Sequence, residues 1–309
     1  MTDVDTFATA LYTIADDFCK GNLPPEEIKP GPEPSLSCSE VITLTIFSQF
    51  WKFKSERDFY RYAERNLNGA FPGLPHRTQF NRLVRHYQKA IVAFFLYLVD
   101  LLKARQVFYE ILDTTAVPIR NAKRRGEGWL CGFTNIGWST RLGWFEGFRL
   151  LIAVNPIGVI TGFGFGKASS KDQPLAETFL ALRRYPHPRL PSVGSPAMGA
   201  YVVDTGFEGE ENHYRWFESY NAKVICKPKC NTHNAWSKPL RRWSARIRQT
   251  VETVYDKLVN WFNLGQHRPH EMSGFQAHLA AKMALHNFCI WLNLQLGRSP
   301  LALADLIDW

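Results

Sequence analysis

The segment VFYEILDTT, Val107 to Thr115, decides the fold. It is a short, largely apolar run of strand formers, and it follows a stretch from Val4 to about Lys103 whose apolar spacing is mostly helical. Downstream, FRLLIAVN and GVITGFGFG read as two more strands joined at Asn155 to Gly158, and AYVVD and AKVICKP as a fourth and fifth. A helix from Pro174 to Arg184 follows the polar segment Ser169 to Gln173. Another lies within Gly209 to Tyr220, and two long helices begin near Lys238 and Ser273. Strands in this alternation with helices predict a mixed α/β domain with a five-stranded sheet flanked by helices. The intervening stretches Thr114–Phe145 and Tyr185–Gly199 read as irregular and are too long to be idle connections.

Upstream of Val107 the chain reads as all-helical, interrupted by the Pro-rich segment Leu23–Ser35 and the turn Gly69–Pro75. Ser37 or Ser39 can cap a helix through Val41, Leu44 and Phe47, with Glu40 placed early, where the helix dipole favours an acid. In RTQFNRLVRHYQKAIVAFFLYLVDLL, Phe80, Leu83, Val84 and Tyr87 form an inward face. Arg77, Gln79, Arg82 and Arg85 stay outside, as a solvated basic face or as a reader of the DNA major groove.

Two of the predicted strands end in aspartate followed by threonine: Asp113 in EILDTT and Asp204 in YVVDTGF, with Gly206 loosening the turn beyond. Each alone can start a turn or cap the next element. As neighbours they would emerge at one point of the sheet, where a divalent cation with hard oxygen ligands, Mg²⁺ or Mn²⁺, relieves their repulsion. A third carboxylate has to come from another element. In ARIRQTVETVYDKL, Ala245 to Leu258, the spacing of Trp243, Ile247, Val251, Val254 and Leu258 predicts a buried stripe with Glu252 at its edge. Arg248, four residues earlier, can pair with Glu252 for only about 0.3 kcal/mol in this base-before-acid orientation.

The chain has 37 Lys and Arg against 28 Asp and Glu, a net charge of +9. Residues 1–40 hold eight acids against Lys20 and Lys29, so the remainder is more basic than the whole. Cations interleave with aromatics in Arg120–Trp129 and Lys223–Trp243, including Arg241 and Arg242; this suits a nucleic acid, although many basic proteins bind none. Six cysteines in 309 residues form no dense disulfide framework and point to a reducing cytoplasm. The longest apolar run, Ala90–Val99, is too short for a membrane span of about 20 residues. No GxxxxGK[ST] loop appears, and GFGFG lies within a strand pattern, so no nucleotide cofactor is expected. Cys226, Cys230 and His233 in CKPKCNTH are spaced loosely for zinc and read better as a strand-end cysteine and a basic loop. Asp172 most simply caps the helix that follows it. Phe288, Trp291, Leu292 and Gln295 make a stripe for the core or a subunit contact.

With EILDTTAVPI, GWFEGFRLLIAVNPIGVITGFGFGKASSKD, YVVDTGF and RQTVETVYDKL in this order, nearly the whole chain resembles the DDE transposases of bacterial insertion sequences. It departs from several relatives at Ala245, where they carry tyrosine, and at Val259, where they carry lysine. The resemblance implies a ribonuclease-H-like catalytic domain at 106–270 after a helical DNA-binding region at 1–105. C-terminal helices at 271–309 would pack on the catalytic domain or a partner subunit. It also implies Asp113, Asp204 and Glu252 as a triad holding two Mg²⁺ or Mn²⁺ ions, with Arg248 and Lys257 on the DNA backbone. The implied activity is cleavage of double-stranded DNA at element ends and strand transfer into a target, by a homodimer on DNA in the bacterial cytoplasm. Two alternatives share these features: an inactive DNA-binding regulator, and a nuclease of the same fold without strand transfer.

Overall fold

The structure, a computed structural model, describes residues 2–24, 34–123, 127–188, 190, 192–197, 199–228, 236–266 and 269–309. They divide into two compact units, Met1–Leu98 with Asn260–Trp309, and Val99–Val259.

The first unit is helical. Helices α1 (Val4–Asn22), α2 (Cys38–Phe47), α3 (Glu56–Asn66), α4 (Arg77–His86) and α5 (Gln88–Leu101) make up its N-terminal part. Ser37 caps α2 in a reciprocal box: its hydroxyl accepts from the Glu40 amide, and the Glu40 carboxylate accepts from the Ser37 amide at 2.7 Å. The run from Arg77 is two helices, with Tyr87 at the junction. The C-terminal helix of the chain, Met272–Gln295, lies in this unit as well, its residues buried almost all round. Phe288 meets Phe7 edge-on at 5.1 Å, and the Asn263 amide donates to the carbonyls of Phe50 and Phe53 at 3.0 Å each. Within this unit the C-terminal residues thus pack with the N-terminal helices. Apolar residues around the whole circumference have to be covered on every side, and the N-terminal helices supply that cover. The two-residue strands Thr2–Asp3 and Ile307–Asp308 pair in parallel within the same unit.

The second unit is built on a sheet of six strands: β1 (Tyr109–Asn121), β2 (Asn135–Ser139), β3 (Gly143–Val154), β4 (Ile160–Lys167), β5 (Ala200–Val203) and β6 (Lys223–Cys226). On one edge of β3, β2 pairs along Gly143–Gly147 and β4 along Phe148–Val154; β1 takes the other edge. These pairs are antiparallel, whereas β1, β5 and β6 run parallel. The strand order β4-β3-β1-β5-β6, with β2 as an extension, is a ribonuclease-H-like sheet. Helices α6 (Asp172–Arg184), α7 (Glu210–Tyr220) and α8 (Lys238–Asn260) complete the unit. Leu112, Leu151 and Val203 from the sheet pack with Phe179 of α6 and Trp216 of α7 in one buried cluster.

The sheet differs from its sequence reading in two ways. It has a sixth strand, β2, inside the stretch read as irregular. Also, β1 does not stop at Asp113 but runs on to Asn121 beside β3, with a register shift between Pro118 and Arg120, where proline cannot donate to the ladder.

Beneath this sheet lies a closed ion pair. Arg183 of α6 and Glu110 of β1 are each 1% exposed in the side chain, and the guanidinium donates two bonds to the carboxylate, at 2.8 and 3.1 Å. The Tyr201 hydroxyl, the Thr161 and Gly194 carbonyls and the Ala197 amide take up neighbouring polar atoms.

Candidate active site

The pairing of β1 with β5 puts Ile111 opposite Val202, and continuing that register by two residues brings Asp113 level with Asp204. The site forms here because β5 ends at Val203 while β1 continues, so the Asp113 side chain emerges where its neighbour strand has left the sheet. Each aspartate is oriented by the amide that follows it: Thr114 N–H donates to Asp113 Oδ1 at 2.8 Å, and Thr205 N–H to Asp204 Oδ1 at 2.7 Å. Asp204 is also the N-cap of the short 3₁₀ turn Thr205–Phe207. Burial pushes the Asp113 carboxyl up to about 6, against the lowering effects of the Thr114 amide and the Arg248 charge; Asp204 and Asp172 push it further up.

Glu252 arrives on α8. The buried stripe of this helix is Ser244, Ile247, Val251, Val254, Tyr255 and Leu258. Trp243, expected in that stripe, is 40% exposed, because Ser244 takes the inward position at that turn. Tyr255, one turn beyond Glu252, is buried, and its hydroxyl donates to the Asp113 carbonyl at 2.6 Å, tying the helix to the strand that carries the first aspartate. Burial, with the nearby Asp113 charge, raises the Tyr255 hydroxyl well above its ordinary range, so it remains a donor.

Arg248 joins the outer two carboxylates, with Nη1 3.1 Å from Asp204 Oδ1 and Nη2 3.9 Å from Glu252 Oε1. Its planar fork sits between Asp204 and Glu252 and bears toward both. Among the described residues, no three or more His, Cys, Asp or Glu side chains are gathered closely enough to hold a metal ion. The donor chemistry nonetheless fits a hard divalent cation, since Asp113, Asp204 and Glu252 offer only carboxylate oxygens and the site's balancing positive charge comes from Arg248.

Asp172 does not cap α6. The N-cap is Lys171, which makes no side-chain bond to the helix, and Asp172 is the first helical residue. Its Oδ1 accepts from Thr114 Oγ1 at 2.7 Å and from Arg149 Nη1 at 2.6 Å. Its Oδ2 lies near Gly206, where a Cβ would stand 2.7 Å from it and would make the carboxylate shift. A cleft of about 370 Å³ opens beside these groups, lined by Trp138, Arg149, Ser170, Lys171, Asp172 and Gly206. Thr114, Arg149 and Tyr255 were not singled out from sequence; only Tyr255, one helical turn after Glu252, carried a signal that could have marked it.

The remaining basic positions divide. Arg241, Arg242 and Arg82 are exposed, and Lys257 is half-buried in the last turn of α8. Arg77 pairs with Glu56 at 3.3 Å and Arg85 with Glu271. Cys226 ends β6 and its thiol donates to the Asp204 carbonyl at 3.3 Å, while Cys230 and His233 lie outside the described residues.

The family model described as "Transposase DDE domain" matches residues 111–288, more than half of the chain. No curated protein matches the sequence. Solved structures that align with it include a Mos1 transposase paired-end complex with the left transposon end, at 11% identity, covering 78% of this chain and 82% of that one with a TM-score of 0.21. The Mos1 strand transfer complex aligns at 10% identity over 88% and 83%, with a TM-score of 0.23. The Mos1 mariner paired-end complex with Mn aligns at 12% over 89% and 85%, also with a TM-score of 0.23. At such scores these likenesses carry no weight in reading the site. Among the described residues, no helix is long and apolar enough to cross a membrane.

Proposed function

The chain belongs to the transposase DDE domain family, and from that premise we propose that it cuts double-stranded DNA at the ends of a mobile element and joins them to a target, with Asp113, Asp204 and Glu252 as its catalytic carboxylates. The observation that carries this reading is the junction of two sheet aspartates on adjacent parallel strands with a helical glutamate, linked through Arg248. When bound by these three carboxylates, Mg²⁺ or Mn²⁺ supplies Lewis acidity for an in-line displacement at phosphorus. The protein's part is positioning. Threonine amides orient the two aspartates, and Tyr255 ties α8, the helix that carries Glu252, to β1. Arg248 has charge to offer a phosphate once it leaves the acids, and Arg241, Arg242 and Lys257, elsewhere on α8, would add positive charge for a DNA backbone. Arg82, with Arg77 and Arg85, would serve the helical unit in the same way. Two copies acting together would bring two element ends into one complex.

The test is incubation with Mg²⁺ and duplex DNA carrying the sequences that flank the gene. Nicking followed by joining is expected, and Asp113→Ala or Glu252→Ala should abolish both while binding persists. Nicking without joining would assign a nuclease, and binding without nicking a regulator. Wild-type cleavage by either variant would remove the triad assignment.

A further inference from the structure

Asp172 stands at the centre of contacts that the triad does not explain. We propose that it is a positioning residue that orients Asp113 through Thr114, an inference that rests on the triad reading above. Its Oδ1 holds Thr114, one residue past Asp113, while Oδ2 points into the space beside Gly206, two residues past Asp204. Thr114 in turn donates its amide to Asp113 Oδ1, so wherever Asp172 holds Thr114, the rotamer of Asp113 follows. Arg149 closes the arrangement from β3, with Nη1 2.6 Å from Asp172 Oδ1 and 3.4 Å from Thr114 Oγ1. Both side chains of this pair are 22% exposed, so the bond is well shielded.

Two features set this role apart from a cap or a further metal ligand. A side-chain N-cap stabilises a helix, yet α6 starts without one while a carboxylate on its first residue turns to the sheet. That carboxylate is matched by the Arg149 guanidinium, which leaves it as a neutralised brace rather than a free anionic donor.

The experiment uses the full chain and four variants: Asp172→Ala, Asp172→Asn, Thr114→Val and the control Asp113→Ala. Mn²⁺ affinity by calorimetry without DNA, the single-turnover cleavage rate, the DNA dissociation constant and the melting temperature are measured for each. Asp172→Ala is expected to weaken Mn²⁺ binding and slow cleavage by about 10- to 100-fold each, as loss of a group that orients metal ligands does, with DNA affinity within about twofold of wild type. Asp172→Asn, whose amide oxygen still accepts from Thr114 and Arg149, should recover most of both. Thr114→Val should fall in the same direction, and combining it with Asp172→Ala should cost little more than Asp172→Ala alone. Equal losses for Asn and Ala would mean that Asp172 is itself a ligand, and a parallel fall in DNA affinity and melting temperature would mean a merely structural role; either overturns the inference. If Asp172→Ala behaves as wild type while Asp113→Ala is dead, the inference fails alone. If Asp113→Ala still cleaves, the triad reading has failed.

Discussion

Strand β1 carries two carboxylates three residues apart, and they have opposite fates. Glu110 is sealed in the interior, and the Arg183 guanidinium grips it through two bonds with every neighbouring polar atom answered. Asp113 lies at the sheet's broken edge, held by one amide, with its nearest charges those of Arg248, Asp204 and Asp172. The first arrangement is complete within the fold, because a buried charge without its partner is prohibitive. The second is buried without such a grip, and burial, with the acids beside it, holds the Asp113 pKa above its ordinary value. A carboxylate that is fully answered by the protein has nothing left for a ligand; one that is not is where chemistry can be sought.

The contrast can be broken most sharply at Arg183. Arg183→Met should strand Glu110 and destabilise the second unit by about 3–5 kcal/mol, seen as an early transition in urea or heat. The matching change at the other carboxylate should act in the opposite sense. Asp113 has a folded-state value of about 6 against an ordinary 3.8, so the fold favours its protonated form. The stability it withholds is absent below pH 4, grows as the group ionises, and is fully expressed above pH 6. Asp113→Asn should therefore stabilise the protein at pH 7.5 by up to about 3 kcal/mol, with little effect at pH 4, in melts across that range. An equal gain at both pH values would break the comparison.

A subtler test concerns Arg248. Its charge lowers the Asp113 value, so Arg248→Gln should raise it further, read from the carboxyl resonance in an NMR titration. The same variant should bind Mn²⁺ more tightly and DNA more weakly than wild type, since the cation shared by Asp204 and Glu252 is gone. The smallest effect is expected at Tyr255. Tyr255→Phe removes one hydrogen bond to the Asp113 carbonyl, costing about 1 kcal/mol of stability, with a larger proportional loss in cleavage rate if the bond registers Glu252.

The asymmetry between the two carboxylates also explains what could be read in advance. Asp113 and Asp204 were legible because VFYEILD and YVVDTGF are compact strand patterns that stop at an acid, and local pattern is what sequence records best. Glu252 was legible only through its edge position on an amphipathic helix. The Glu110–Arg183 pair was not, because its partners are 73 residues apart and nothing local marks either one. The sixth strand was hidden by Gly137 at its centre, and the extension of β1 past Asp113 by Pro118. Asp172 looked like a cap because helix-start position is a local cue, whereas its real partners, Thr114 and Arg149, come from two strands of the sheet. The Met272–Gln295 helix presents apolar residues in every direction, so its pattern predicted burial without saying against what.

That last helix has a consequence for the order of events during synthesis. The helical unit opens the chain but needs Asn260–Trp309 to finish its core, with Phe7 waiting for Phe288. On a ribosome, the sheet unit lies wholly between these parts and can fold first, although it is made second. The N-terminal helices must meanwhile stay competent without their central partner, exposing aromatic surface until the final stretch emerges. A chain ended after Val259 and released would thus present a folded sheet unit beside an unfinished helical one, and pulsed proteolysis of it should cut the N-terminal helices and spare the sheet.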